Sequence, residues 1–284
     1  MDPPVTVRFR GAGSIELAAE AEGPWTGPPC LLLHGGGQTR HAWGATARAL
    51  GEAGLLALSL DQRGHGDSTW AEDADYSLDA YGSDLRHVLE QIGRPAALVG
   101  ASLGGLASLI ATGEPPRADC SALVLVDITP QLDPRGRDRV GAFMAAHTGG
   151  FASIEEAADA VAAYLPHRPR PANTTGLARN LRLGEDGRYR WHWDPAFVTS
   201  NWPPQRYHRT ERFEQAAAAV TCPLLLVRGA RSEIVSEAAV QAFLRVAPGA
   251  EYVDVAGAAH MVAGDRNDAF TASVLEFLRR RLAA

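Results

Sequence analysis

The stretch ALVGASLGGLAS, residues 97–108, places Ser102 between Gly100 and Gly104, after an apolar run and before a helix-like stretch. Glycine tolerates backbone angles and close contacts that a Cβ forbids. Small residues on both sides therefore predict a strand that turns sharply into a helix, with the serine exposed at the tip. In that context the pattern G-x-S-x-G is typical of a nucleophile elbow. The same five residues also fit a strand–turn–helix junction that merely contains a serine.

Outward from this stretch, apolar runs of strand length alternate with helical patterns near 40–53, 77–93, 103–113, 236–247 and 266–283. Runs such as CLLL and ALVLV are continuous, which favours parallel strands covered on both faces, although a buried helix has the same pattern. The predicted strands are Val5–Arg10, Ser14–Ala21, Pro29–His34, Leu55–Leu60, Ala96–Ala101, Ala122–Asp127, Leu224–Gly229 and Glu251–Val255. The alternation predicts an α/β fold with an eight-stranded, mostly parallel sheet flanked by helices.

The alternation breaks at about residue 130 and resumes after 212. The intervening segment carries three of the six tryptophans and a helical pattern at 153–165. Its aromatic content argues against a disordered linker. We therefore predict a helical cap, or lid, at 130–212, inserted after strand six into a core made of residues 1–129 and 213–284.

Composition narrows the classes of function. The chain of 284 residues is 46% hydrophobic and 21% charged with a net charge of −6, which is typical of a globular protein and unlike a nucleic-acid-binding one. It has no membrane-length apolar run and no secretory leader pattern, so we expect a cytoplasmic protein without a membrane partner, as a monomer or small homo-oligomer. Every cation is arginine, which excludes lysine chemistry. No spacing of His or Cys suits a metal, and no cofactor is expected.

A serine nucleophile needs a base and donors for the oxyanion. His260 is the only histidine after residue 208 and directly follows the strand EYVDV, so we predict that it is the base. The sequence HGGG after the third strand and the residue after the serine predict two oxyanion donors, the N–H groups of Gly36 and Leu103. Gly37 is the second choice in the glycine loop and is expected beside the substrate.

Together the stretches HGGGQTRHAW, DQRGHGDS, GASLGG, LVDITP, LLLVRGARS and AGAAHMVAGDRND resemble the α/β-hydrolase superfamily, in the branch with a helical cap after strand six. The resemblance covers about residues 5–130 and 220–283. It implies an α/β-hydrolase fold and a serine hydrolase that cleaves an ester, lactone, thioester or activated C–C bond. Serine at 102 argues against the relatives that use aspartate as nucleophile.

The triad acid departs from the family pattern. Relatives commonly have aspartate in a G-x-x-D turn after strand seven, and here the turn is Gly229-Ala230-Arg231-Ser232. Two carboxylates remain as candidates. Asp127 ends strand six, where some capped relatives carry the acid, and Glu233 lies one residue beyond the usual position. Either side chain would serve, because the acid fixes the imidazole tautomer and stabilises the imidazolium.

Two other functions stay open. A cofactor-free perhydrolase or haloperoxidase would use the same triad with peroxide as acceptor, and a non-hydrolytic binding protein or cyclase would keep only the pocket. The substrate is expected to be a small molecule with an apolar part. Aromatic residues of the cap can line its pocket over Ser102 or form the cap's own core: Trp191, Trp193, Phe197, Trp202 and Tyr207. Most are expected in the core, and Trp191 and Trp193 are the candidates for substrate binding. Arg168 and Arg170 are expected on the solvated surface.

Overall fold

The computed structural model describes residues 4–166, 170, 173–199, 210–265 and 267–282. Its main feature is one eight-stranded sheet in the order β1-β2-β4-β3-β5-β6-β9-β10. The strands are β1 (Val5–Arg10), β2 (Glu16–Glu22), β3 (Pro29–Leu33), β4 (Leu56–Leu60), β5 (Ala96–Ala101), β6 (Cys120–Val126), β9 (Leu224–Gly229) and β10 (Glu251–Val255). A separate hairpin consists of β7 (Leu181–Leu183) and β8 (Tyr189–Trp191).

The sheet is parallel except at β2, which runs antiparallel to both of its neighbours. The strand order reverses between β3 and β5, which pair side by side with Leu33 opposite Gly100. In open parallel sheets, ligands bind beyond the carboxyl ends of the strands at such a reversal. The HGGG loop leaves the sheet at the end of β3 and Ser102 at the end of β5, so the topology brings these two segments together.

Eleven α-helices are described: α1 (Gly44–Glu52), α2 (Leu78–Ile92), α3 (Leu103–Gly113), α4 (Pro134–Ala145), α5 (Ile154–Tyr164), α6 (Thr175–Ala178), α7 (Pro195–Thr199), α8 (Thr210–Ala218), α9 (Glu237–Val246), α10 (Val262–Asp265) and α11 (Asn267–Leu282). A 3-10 turn at Arg40–Trp43 precedes α1. The boundaries of the strands and core helices lie within a few residues of those predicted. The predicted eight-stranded, mostly parallel sheet flanked by helices is confirmed.

Alternate residues of the central strands point to opposite faces and build two cores. On β3, Leu31 and Leu33 pack in the cluster that contains Phe213 of α8 and Phe243 of α9. Leu32 of the same strand packs on the other face, in the cluster of α1 and α11. Because a period of two places successive side chains on opposite sides, a strand covered on both faces must be apolar throughout. This explains the continuous runs in the sequence.

The segment between β6 and β9 contains helices α4 to α8 and the β7–β8 hairpin. The sequence predicts a purely helical cap and does not predict this hairpin. Its three-residue strands, LRL and YRW, are shorter than the runs by which strands are recognised. Helix α8 begins at Thr210, just inside the predicted cap, and packs on α3, where the Ala216 carbonyl lies against Gly113.

In the part of the chain that the structure describes, no helix is both long and apolar enough to cross a membrane.

Candidate active site

Ser102 stands on a strained turn between β5 and α3, with φ 45° and ψ −109°. This backbone conformation is rare for a residue with a Cβ and persists only where the surroundings enforce it. The two flanking glycines permit the turn: a Cβ on Gly100 would lie 2.5 Å from the Gly104 carbonyl oxygen, and one on Gly104 would lie 2.4 Å from the Leu33 oxygen. The glycines of ALVGASLGGLAS are thus required by close contacts within the turn and with β3.

Asp127 and His260 are hydrogen-bonded to each other. Asp127 follows β6 and is fully buried, and its Oδ2 lies 2.7 Å from Nδ1 of His260. Its other oxygen, Oδ1, accepts the Gly229 N–H at 3.0 Å. The backbone of the elbow is adjacent, since Ser102 N–H donates to the Val126 carbonyl at 3.2 Å. The ends of β5, β6 and β9 and the loop after β10 therefore converge at one edge of the sheet.

Glu233, the other acid candidate, is directed elsewhere. Its carboxylate pairs with Arg139 of α4, and its side chain is 60% exposed. Arg139 also donates to the Tyr164 carbonyl at 2.6 Å, at the surface of the cap segment. Of the two candidate acids, the structure therefore brings only Asp127 to His260.

The glycine loop leaves one amide for a ligand. Gly35 N–H donates to Gln38 Oε1 at 3.0 Å, and Gly37 N–H donates to a histidine nitrogen at 3.1 Å. The Gly36 N–H has no partner among the described residues, and the same holds for Leu103 N–H, which lies in the first turn of α3, where no intrahelical acceptor exists. A Cβ built on Gly35 would lie 3.5 Å from Ser102 Cβ, so the loop passes directly beside the serine.

Two buried histidines contact the backbone of Gly37, one at its N–H and the other at its carbonyl. His65 Nε2 accepts the Gly37 N–H at 3.1 Å, and His65 Nδ1 lies 2.9 Å from the Arg63 carbonyl, to which it donates. His192, from the segment after β8, accepts the Gly66 N–H at Nδ1 at 2.8 Å and faces the Gly37 carbonyl with Nε2 at 3.4 Å. Each ring thus accepts one hydrogen bond and donates another, which requires the neutral form. His192 is not among the site residues predicted from the sequence.

A third neutral histidine supports the start of the loop. His34 Nε2 accepts the Gln62 N–H at 3.0 Å, and its Nδ1 donates to the Gly35 carbonyl at 2.8 Å. Burial lowers the pKa of His34 to about 4. Burial, together with the neighbouring His34, lowers the pKa of His65 to about 3. Burial also lowers the pKa of His192 well below its usual value. The loop that carries Gly36 is therefore positioned by three uncharged imidazoles.

Apolar side chains of the segment between β6 and β9 lie over the loop. A Cβ on Gly36 would be 3.4 Å from Phe197 Cζ, and one on Gly37 would be 3.0 Å from Met144 Cε and 3.3 Å from Trp193 Cζ3. All three side chains are buried. The side chains that approach Gly36 and Gly37 most closely among the described residues are therefore uncharged.

Trp191 lies one ring further from the loop, stacked on Trp193 with centroids 5.0 Å apart and planes 9° apart. Arg170 pairs with Asp159 at 2.6 Å on the surface. Arg168, Trp202 and Tyr207 lie outside the described residues. Within the described ranges, no group of three or more His, Cys, Asp or Glu side chains is placed to hold a metal ion.

Comparison with known proteins identifies relatives along most of the chain. The family model for serine aminopeptidase, S33 (Hydrolase_4) matches residues 29–267. "Esterase Rv0045c" of Mycobacterium tuberculosis is 31% identical over 75% of this chain and 70% of its own length. The "2-(acetamidomethylene)succinate hydrolase" of Mesorhizobium japonicum is 30% identical over 88% of this chain and 87% of its own.

Solved structures agree with these sequence matches. A crystal structure of E-2-(acetamidomethylene)succinate hydrolase superposes with a TM-score of 0.84 at 26% identity, covering 98% of this chain and all of the other. An α/β hydrolase from Novosphingobium aromaticivorans superposes with a TM-score of 0.82 at 26% identity, covering 99% of both chains. The matched proteins are hydrolases, and the expected fold is confirmed.

Proposed function

Since this chain belongs to the α/β-hydrolase superfamily, in the family of serine aminopeptidase S33, and is a hydrolase, we propose that it acts through an acyl-enzyme on Ser102. The observation that carries the proposal is the hydrogen bond of 2.7 Å between Oδ2 of the buried Asp127 and Nδ1 of His260, at the sheet edge where the Ser102 elbow stands. A serine on a strained elbow and an imidazole oriented by a buried carboxylate, both at the carboxyl ends of neighbouring strands, fit a nucleophile, its base and the acid that orients the base.

In the proposed reaction, Ser102 Oγ attacks the substrate carbonyl and His260 takes the hydroxyl proton at Nε2, the nitrogen that does not face Asp127. The negative charge that develops on the carbonyl oxygen is stabilised by two amides that have no partner among the described residues, those of Gly36 and Leu103. His260 then returns its proton to the leaving group. Water, activated by the same imidazole, releases the acid from Ser102.

Asp127, rather than Glu233, is proposed as the acid. It is fully buried, its carboxylate accepts hydrogen bonds from neighbouring groups, and it faces the imidazole. Glu233 is held at the surface by Arg139. In the Asp127→Asn variant, kcat should fall on the order of 10⁴-fold, because an amide no longer selects the required tautomer of His260. In Glu233→Gln, kcat should change less than about threefold, since only an exposed ion pair is lost.

The substrate is proposed to present an uncharged, apolar acyl group to the glycine loop. Met144, Trp193 and Phe197 surround Gly36 and Gly37, and a carboxylate placed among them would lose its hydration without gaining a cation. An ester, a lactone, a thioester or an activated C–C bond fits the same chemistry.

Initial rates on p-nitrophenyl acetate, butyrate and octanoate and on the hemisuccinate ester test this proposal, with Ser102→Ala as control. We expect turnover of the neutral esters to exceed that of the hemisuccinate, and the Ser102→Ala variant to lose at least about three orders of magnitude in kcat. A preference for the hemisuccinate would refute the apolar acyl site. Near-normal turnover by the Ser102→Ala variant would refute the acyl-enzyme.

A further inference from the structure

Ser232 lies against the carboxylate of Asp127. It closes the turn after β9, where its N–H donates to the Gly229 carbonyl at 2.8 Å. Its hydroxyl is 2.6 Å from Asp127 Oδ2, the same oxygen that is 2.7 Å from His260 Nδ1. One carboxylate oxygen is thus shared between the imidazole and a hydroxyl from the turn after the neighbouring strand β9.

The direction of the hydroxyl proton follows from the other contacts of Ser232. Its Oγ accepts the N–H of Ile234 at 3.1 Å and that of Val235 at 3.0 Å. A serine oxygen has two acceptor sites and one proton, so these two bonds leave the proton for Asp127. An ionised carboxylate only accepts, which makes Ser232 the donor. The start of the β9–α9 connection therefore holds a hydroxyl donor against the buried carboxylate of Asp127.

With this donor, the carboxylate is held at three points. Gly229 N–H binds Oδ1, while Ser232 O–H and His260 Nδ1 bind Oδ2. Hydrogen bonds to an ionised acceptor are short and about twice as strong as neutral ones. Without the serine proton, Oδ2 would be held only by the imidazole, the ring that it is required to orient.

We propose that Ser232 is a positioning residue of this site, which acts through Asp127 by fixing the carboxylate in the orientation that holds the His260 ring. The proposal rests on the proposed function, in which Asp127 is the acid. It predicts that loss of the hydroxyl lowers kcat and leaves KM unchanged, because the side chain faces Asp127 and not the apolar walls of the acyl site.

The test compares Ser232→Ala and Ser232→Thr with wild type. We expect kcat of Ser232→Ala to fall roughly tenfold at constant KM, as for a lost hydrogen bond to a charged group, and Ser232→Thr to recover most of it. Ser236→Ala is the matched control. Ser236 also caps an N–H, that of Ala239 at 3.2 Å at the start of α9, and has no contact with Asp127. It should lose thermal stability but keep its kcat.

A double variant separates this inference from the proposed function. In the Asp127→Asn background, Ser232→Ala should cause no further loss of kcat, since the carboxylate on which it acts is gone. The low-field proton NMR signal of His260 Nδ1–H in resting enzyme should shift in Ser232→Ala and be unchanged in Ser236→Ala. A full kcat in Ser232→Ala together with a large loss in Asp127→Asn would overturn the role of Ser232 alone. A full kcat in Asp127→Asn would overturn the proposed acid itself.

Discussion

The protein should begin to lose stability below about pH 6.5, because three histidines are buried in neutral form around the glycine loop. The pKa of His34 is lowered to about 4 and that of His65 to about 3 by burial. In the unfolded chain, both have a pKa near 6.5. Below pH 6.5 both histidines therefore bind protons in the unfolded chain while they stay neutral in the folded chain. The stability from these groups is present above pH 6.5 and is lost as the pH falls toward their folded values.

The size of the effect follows from the pH interval. Each of the two histidines lowers the free energy of unfolding by about 1.36 kcal/mol per pH unit below 6.5. By pH 5 the loss is about 2 kcal/mol for each and about 4 kcal/mol for the two together. His192 adds a loss in the same direction. This is a large part of the 5–15 kcal/mol that stabilises a typical domain. Unfolded carboxylates titrate mainly below pH 5 and contribute little over this interval.

Urea unfolding at pH 7 and pH 5, followed by tryptophan fluorescence, measures the loss. His65→Gln keeps an acceptor for Gly37 N–H and a donor for the Arg63 carbonyl but does not titrate, so its loss should be smaller by about 2 kcal/mol. His87→Gln, at an exposed position of α2, is the control and should behave as wild type. A wild-type loss below about 1 kcal/mol, or equal losses in His65→Gln and wild type, would refute the claim that buried neutral histidines make the stability depend on pH.

Three further predictions concern the elbow, the base and the cap. Gly100→Ala should destabilise the fold by about 3 kcal/mol or more, since its Cβ would lie 2.5 Å from the Gly104 carbonyl oxygen, whereas Gly149→Ala has no atom within 4 Å; thermal melts that agree for the two variants would contradict the packing of the elbow. His260→Ala and the double variant Ser102→Ala/His260→Ala should have the same residual kcat as Ser102→Ala, and multiplicative losses would show that the two side chains do not act as a unit. If 130–212 forms a lid, limited proteolysis followed by mass spectrometry should cut first around LGEDGRY (183–189) or in the stretch HRPRPANTTG (167–176), much of which lies outside the described residues, and first cuts in the core strands would argue against the lid.

The sheet and the position of the Ser102 elbow could be predicted because local patterns determine them. Continuous apolar runs mark strands buried on both faces, and Gly100 and Gly104 mark the elbow. The choice between Asp127 and Glu233 could not be made from the sequence. It depends on where Arg139, nearly a hundred residues before Glu233, directs that carboxylate, and on how β6 and β9 align.

His192 and Ser232 were missed for the same reason. Their contacts join segments far apart in the chain, His192 with Gly37 and Ser232 with Asp127. Neither residue stands in a motif of known spacing. A weak signal existed for Ser232, because it occupies the place in the Gly229 turn where the family commonly has its acid. A side chain at this position is expected to lie near the imidazole or near the carboxylate that orients it. The β7–β8 hairpin left no comparable signal, since strands of three residues are too short to show alternation.

Covalent trapping shows whether Ser102 is the nucleophile of an acyl-transfer site. Wild-type protein and the variants Ser102→Ala and Asp127→Asn are incubated with a fluorophosphonate, and the adduct is located by intact mass and peptide mapping. We predict one phosphonyl group per wild-type chain, attached to Ser102, much slower labelling of Asp127→Asn, and no adduct on Ser102→Ala. A wild-type protein that remains unlabelled, or an adduct on another residue that persists in Ser102→Ala, would show that Ser102 is not the nucleophile.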